Sequence, residues 1–447
     1  MMNRDEICGL TLSEASAAVG RGELSPVDLT RACLERIARL DPQINSFIAV
    51  REKAAMAAAN ALTTELQAGH NRGPLHGIPV ALKDLIDVAG LATTAASELF
   101  ANRVAAADAE VVRRLRAAGA IIVGKTNLHE FAYGGSGLIS HFDVVRNPLN
   151  PLYITGGSSS GSAAAVAAGF CFAAIGTDTA GSIRLPAAYC GVVGLKPTYG
   201  LVSAEGVVPL AWSYDHVGPI TRTVEDAALV MQAIANVEAP GLDDGSLRFG
   251  VARKYFFEAC DAEIATAVDR VAKRVSAVEV EIPVDEDRTV SNAEAFAYHE
   301  EFVAASPDKY QKETLRRIRS AEKITAAAYV RKRRELDALR QRAGELFREV
   351  DVIITPTVPI LPSLISELEA NPEQLRPREL TMLRNTRPFN VLGVPAMSVP
   401  CGVTSSGLPI GIQLAAAPRR EDVLIVAGKV VESLVKNVHA SGRSSGE

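Results

Sequence analysis

Two serine-bearing turns on either side of one helix form the chemically suggestive stretch of this chain. Residues 156–186 read GGSSSGSAAAVAAGFCFAAIGTDTAGSIRLP: a Gly/Ser turn, an Ala-rich run of helix formers, a short apolar stretch, and a second small-residue turn that carries Ser182. A hydroxyl nucleophile needs backbone N–H groups beside the oxygen that becomes negative, and only Gly, Ala and Ser let the backbone approach a substrate so closely. The turn Thr179-Ala180-Gly181-Ser182 can aim several N–H groups at one oxygen, a pattern suited to acyl transfer. A flexible Gly/Ser linker has similar composition, but linkers rarely lead into an apolar helix.

Two other motifs compete. Gly157, Ser159 and Gly161 fit the G-x-S-x-G elbow, with Ser159 as nucleophile and a histidine from His216, His299 or His439 downstream. That elbow requires a preceding strand, whereas HFDVVRNPLNPLYIT at 141–155 carries two prolines and two asparagines and reads as loop. Gly119-Ala-Ile-Ile-Val-Gly124-Lys125-Thr126 satisfies the Walker A spacing, but its apolar centre makes a buried strand and no phosphate cradle.

The stretches GGSSSGSAAAVAAG and GTDTAGSIRLPAAYCGVVGLKPTYGLVS, with GIPVALKDLIDVAG upstream, resemble the signature region and lysine segment of the amidase signature family. The resemblance spans most of the chain, most strongly 74–234 and 351–414. It implies a Ser-cisSer-Lys triad of Lys83, Ser158 and Ser182, with a cis peptide at Gly157–Ser158. Ser182 would attack an amide carbonyl and Ser158 would relay its proton to Lys83. The backbone N–H groups of Thr179, Ala180, Gly181 and Ser182 would hold the oxyanion. In the family the glycine-rich loop at 134–137, which follows Asn127–Gly134, lines the substrate cleft, so Phe131, Tyr133 and Gly134, with Ser158, are the expected substrate contacts, core packing being the alternative for the two aromatics. Asp178 and Arg184 flank the nucleophile turn and are expected to support it, or to serve only as a structural ion pair. The chain departs from the family pattern in two places: Ser160 stands where a glycine is usual, and Ala180 where the family often has a first glycine. An alanine there keeps its N–H provided that φ need not be positive.

Read from its own segment, Lys83 ends an apolar strand, Gly77-Ile-Pro-Val-Ala-Leu-Lys83, where it can be an exposed strand end paired with Asp84 or Asp87. Held at the end of a buried strand it is desolvated instead, which lowers its pKa and leaves an amine able to take a proton. His129 reads as a structural hydrogen-bonder.

The elements that must position these residues are helical first. Ser25-Pro-Val-Asp28 is a capping box with proline at the first helical position, followed by an amphipathic run to about Leu40. An Ala-rich helix over about 51–68, a helix over 108–119 and a strand over 120–124 come next. Ser213 to Pro219 reads as a loop into a helix near Val224–Ala235. Residues 240–345 are charge-rich and helical in pattern, an insertion or cap. Strands resume at 351–356, 395–399 and 410–414, and a last helix covers about 420–435. The segment 439–447 reads as a disordered tail. The resulting layout is a single domain over 1–447, with its core at about 1–238 and 350–436; the resemblance implies an α/β/α sandwich with a large central mixed sheet.

Of 447 residues, 48% are hydrophobic and 22% charged, close to the averages of soluble globular proteins, so neither a disordered chain nor a membrane-embedded one is indicated. A net charge of −5 gives no global reason to bind nucleic acid. The six cysteines are scattered without a CxxC pair, so reduced thiols in a cytoplasmic protein are expected. The seven histidines show no HxH or HExxH spacing, so neither a metal nor another cofactor is implied. The expected partner is a small-molecule amide, with no nucleic acid and no membrane; a homodimer is left open. Two rivals stand beside the amidase: the glutaminase component of a tRNA-dependent amidotransferase, and a non-catalytic binding protein on the same fold. Against the first, 300–345 does not resemble the tyrosine-rich helical segment expected of that component. Against the second, all three triad residue types are present.

Overall fold

Eleven strands join one sheet in the computed structural model, which describes residues 2–237 and 247–443. In chain order they are β1 (Phe47–Val50), β2 (Pro79–Lys83), β3 (Ile121–Thr126), β4 (Ala173–Asp178), β5 (Val193–Lys196), β6 (His216–Thr221), β7 (Phe249–Val251), β8 (Val278–Glu279), β9 (Val352–Pro356), β10 (Ala396–Val403) and β11 (Pro409–Ala416). Across the sheet the order is β1-β3-β2-β4-β6-β5-β10-β11-β9-β7-β8. β2 pairs in parallel with β3 and β4, while β4–β6, β5–β10 and β10–β11 are antiparallel. The mixed α/β architecture is the expected one.

Side chains alternate across a strand with period 2, and this alternation aims the site. Val80 and Leu82 of β2 enter the core cluster shared with helices Leu12–Gly20, Val224–Ala235 and Glu421–Arg443. Ala81 enters a second cluster with the Ala-rich helix Ser160–Ala167 and helix Arg184–Cys190. Lys83 follows in the Ala81 register and meets the residues that precede the Ala-rich helix. That helix carries mostly Ala, Ser and Gly, buried from Ser160 to Val166, so its backbone can lie close against the sheet.

The Ser25–Asp28 capping box forms as expected and starts a helix that runs past Leu40 to Ile44. Glu52–Gln67 matches the expected Ala-rich helix. Three expectations need correction. Residues 216–221 are strand β6, not loop, because they pair along all of β4. The 240–345 segment is not wholly a helical cap: β7 and β8 extend the sheet edge beyond β9, and helix Ala262–Arg274 packs on the main core. Helices Thr289–Ala305, Lys312–Arg319 and Ala326–Arg342 make up the helical part. The last helix continues to Arg443, into the stretch expected to be disordered; residues 444–447 lie outside the described residues. The six cysteines are free thiols, and no described helix is long and apolar enough to cross a membrane.

Candidate active site

Lys83 ends β2 with no exposure to solvent. Its Nζ lies 2.7 Å from Ser158 Oγ and 2.8 Å from Thr177 Oγ1. Both acids that could have paired with it are taken: Asp84 binds Lys125 at 2.5 Å and Asp87 binds Arg103 at 2.7 Å. The lysine of the Walker-like segment is therefore a structural ion-pair partner on β3. Burial pushes the Lys83 pKa down to about 7, with Asp178 and Asp215 opposing the shift from a distance. An amine with this value is largely able to accept a proton near neutral pH.

The first serine turn is held by backbone and hydroxyl hydrogen bonds. The Gly157–Ser158 peptide is cis, the Gly157 N–H donates to Gly135 O at 2.7 Å, and Ser158 O accepts from the His129 N–H at 3.1 Å. Ser159 Oγ donates to Thr177 O and accepts from the Thr177 N–H, at 3.1 and 3.3 Å. With its hydroxyl so used and no histidine on it, Ser159 braces the turn and the elbow reading fails. His216 Nδ1 faces the carbonyls of Tyr214 and Asp178, at 2.6 and 3.0 Å, and burial holds the ring neutral. His299 Nδ1 lies 2.9 Å from the Tyr310 hydroxyl, and the side chain of His439 lies outside the described residues. His129 is buried against Ser136, as expected of a structural group.

The second turn is organised by the Asp178 carboxylate. Oδ1 accepts from the Gly181 N–H at 2.8 Å and Oδ2 from the Ile183 N–H at 3.1 Å. Arg184 pairs with both oxygens at 3.0 Å, and both side chains are fully buried. Although burial opposes it, the Arg184 charge holds the Asp178 carboxyl well below the usual carboxylate range. Arg184 also donates to Thr386 O, Gln413 Oε1 and Asn390 Oδ1, at 2.9, 2.6 and 2.6 Å. The pair thus locks the Thr179–Ser182 turn to β11 and to helix Arg387–Val391.

Gly181 is corrected as an oxyanion donor, because its N–H is committed to Asp178. The N–H groups of Thr179, Ala180 and Ser182 make no hydrogen bond among the described residues and remain able to donate. The positive φ, 140°, falls on Gly181 and not on Ala180, so the alanine is tolerated. A Cβ on Gly181 would also sit 2.1 Å from Thr386 Oγ1.

Ser182 opens onto a cleft lined also by Thr179, Ala180, Tyr133 and Gly134. Two expected contacts lie elsewhere. Phe131 is fully buried, its ring 4.5 Å from His299 and 5.2 Å from Phe100 between centroids. Ser158 is equally buried and does not line the cleft. Among the described residues no hydrogen bond joins the Ser158 and Ser182 hydroxyls; the turns are tied by the Ser159 N–H to Ser182 O at 3.2 Å.

Several residues of this site escaped sequence reasoning. Thr177 holds Lys83, and Asp215 accepts from the Thr179 hydroxyl at 2.6 Å and from the Leu210 N–H at 2.9 Å. Burial pushes Asp215 up to about 6 against these hydrogen bonds. Arg288, Asn292, Arg376 and Arg387 line the cleft from segments remote in sequence. The only signal, and for Arg376 and Arg387 alone, was the recurrence of arginine at 376, 378, 384 and 387. Among the described residues no cluster of His, Cys, Asp and Glu could hold a metal ion.

The amidase family pattern matches residues 28–425. The chain is 38% identical to the A component of the glutamyl-tRNA(Gln) amidotransferase of Geobacter metallireducens, covering 96% of this chain and 97% of that one. It is also 38% identical to an amidase of Pseudomonas putida, covering 95% of each. A crystal structure of an amidase superposes with a TM-score of 0.87 at 32% identity, over 95% of this chain and 100% of the other.

Proposed function

The chain belongs to the amidase family and is an amide-bond hydrolase, and on that premise we propose that Ser182 is its nucleophile, Ser158 the relay and Lys83 the base. The observation that carries the reading is Lys83: a buried amine with no acidic partner, its nitrogen 2.7 Å from Ser158 Oγ. Ser158 gives its proton to Lys83 and takes one from Ser182 as Ser182 Oγ bonds to the amide carbon. The N–H groups of Thr179, Ala180 and Ser182 hold the oxygen that becomes negative. The proton returns through Ser158 to the leaving nitrogen, the C–N bond breaks, and ammonia or an amine departs. Water then attacks the Ser182 ester along the same relay and frees the acid. Closing the relay requires the Ser182 side chain to turn toward Ser158; such contacts commonly tighten only with substrate in place.

Incubation with a panel of primary amides and anilides, reading amine release and trapping Ser182 as its acyl ester by mass spectrometry, tests this reading. An acyl group found on any other residue removes Ser182 from the role.

A second reading has support in the similarity to the amidotransferase component: the same site would release ammonia from glutamine for a partner chain. Glutamine hydrolysis outpacing the other amides, and rising on addition of partner chains, would favour it. The 300–345 segment, with tyrosines only at 310 and 329, favours the amidase acting alone.

A further inference from the structure

The cleft over Ser182 is strongly basic. Three arginines, Arg288, Arg376 and Arg387, line it beside Ser182, Tyr133 and Asn292, and no lining residue is acidic. The acids nearest in sequence are engaged elsewhere: Asp287 with Lys332 at 3.3 Å, Glu286 with the Tyr255 hydroxyl at 2.8 Å, and Glu379 with Arg317 at 2.8 Å. Arg387 donates to the carbonyls of Asp285 and Asp287 and so anchors the segment that carries Arg288. Among the described residues Arg376 reaches only Glu379, at 3.7 Å, a carboxylate already bound by Arg317. The Arg288 side chain forms no hydrogen bond or ion pair among the described residues. Burial, then repulsion from Arg387 and Arg376, presses the Arg288 pKa down to about 9. Charges crowded in this way gain most from an anion brought in by the substrate.

Resting on the amide-hydrolase reading, we propose that the substrate bears a carboxylate within a few bonds of its scissile amide, and that Arg288 and Arg376 bind it. A guanidinium meets a carboxylate through two parallel N–H···O bonds, and Tyr133 and Asn292, joined at 3.2 Å, stand beside the pair. Ser182 lines the same pocket as Arg288 and Arg376, which sets the scissile amide and the anion a few bonds apart. Two compound classes share the chemistry: monoamides of short dicarboxylic acids, and short N-acyl amino acids with the carboxylate on the leaving side.

The experiment compares kcat/KM of the unmodified enzyme for both classes against their methyl esters, which keep the shape and lose the charge. The expected preference for the carboxylate is about 10- to 100-fold, the usual worth of hydrogen bonds to a charged group, and the class that shows it locates the anion. In Arg288→Gln and Arg376→Gln the ratio should fall toward one. Neutral amides turned over as fast as their anionic counterparts, or a ratio that survives both substitutions, would overturn the proposal and leave the amidase reading intact. Calorimetry with succinate, on the parent and on Arg288→Gln, tests the anion site without turnover. Succinate binding that the substitution weakens at least tenfold, in an enzyme that cleaves no amide, would uphold the site and remove the hydrolase reading; no succinate binding by the parent would overturn the site.

Discussion

Lys83 Nζ and Ser158 Oγ lie 2.7 Å apart although 75 residues separate them in the chain, and neither has any solvent exposure. The strand end and the serine turn meet because β2 and β4 run parallel, and the polypeptide between them returns through the Ala-rich helix. Burial lowers the pKa of this nitrogen to about 7; a surface lysine with the same neighbour would stay charged.

Replacing Lys83 by arginine should therefore be as damaging as replacing it by alanine. Guanidinium stays protonated at any working pH. Loss of a general base costs about 10²–10⁴-fold. Steady-state kinetics of Lys83→Arg and Lys83→Ala check this, and a Lys83→Arg enzyme near the parental rate would reduce the lysine to a mere positive charge. In the parent, kcat/KM should rise with pH through about 7, the value to which burial brings Lys83.

The serines should rank in a definite order. Ser182→Ala and Ser158→Ala should each lose about 10³-fold or more, as expected of members of a nucleophile–base unit, with unchanged circular dichroism. Ser159→Ala should retain far more activity, since its hydroxyl bonds only to the Thr177 backbone. A deeper loss in Ser159→Ala than in Ser158→Ala, or an inactive His299→Ala, would return the nucleophile elbow to consideration.

Stability should carry the mark of Lys83 with a fixed sign. Its pKa is about 7 when folded and near the ordinary 10.5 when unfolded, so between these values the unfolded chain holds more protons. Unfolding free energy then rises with pH across that window, and below pH 7 the full cost of burying the charge is present. Lys83→Met should be more stable than the parent at pH 6, with the gap closing toward pH 10. Denaturant titrations at several pH values measure it; a gap independent of pH would mean that Lys83 is not buried as a base.

The Asp178–Arg184 pair should behave as a buried ion pair that positions the nucleophile turn. Asp178→Asn leaves Arg184 an uncompensated buried charge, for a loss of roughly 3–5 kcal/mol. It also weakens the acceptor of the Gly181 and Ile183 N–H groups. Replacing both partners with apolar residues should recover much of the stability but not the turnover. If the double variant recovers activity as well, the pair serves the fold alone.

Local chemistry made part of this protein legible from its sequence. The capping box at Ser25–Asp28, the helix at 52–67 and the apolar strands ending at Lys83 and Pro356 follow from hydrogen-bonding capacity and side-chain period, properties of a few neighbouring residues. The small residues of the two serine turns announced close backbone approach, and the family resemblance named the triad candidates. Only the tertiary structure decided what depends on non-local pairing. That Ser213–Pro219 leads into β6, and that 249–279 supplies the sheet edge, follows from strand partners far away in sequence. Which N–H groups of the nucleophile turn are free depends on where the Asp178 carboxylate points, and no spacing encodes that. Phe131 left the cleft because its loop packs it against Phe100 and His299. The cleft itself is assembled from residues 133, 182, 288, 292, 376 and 387, brought together by chain returns over a sheet of eleven strands. Its charge is a sum over distant segments, and a sum of that kind exists only in the folded chain.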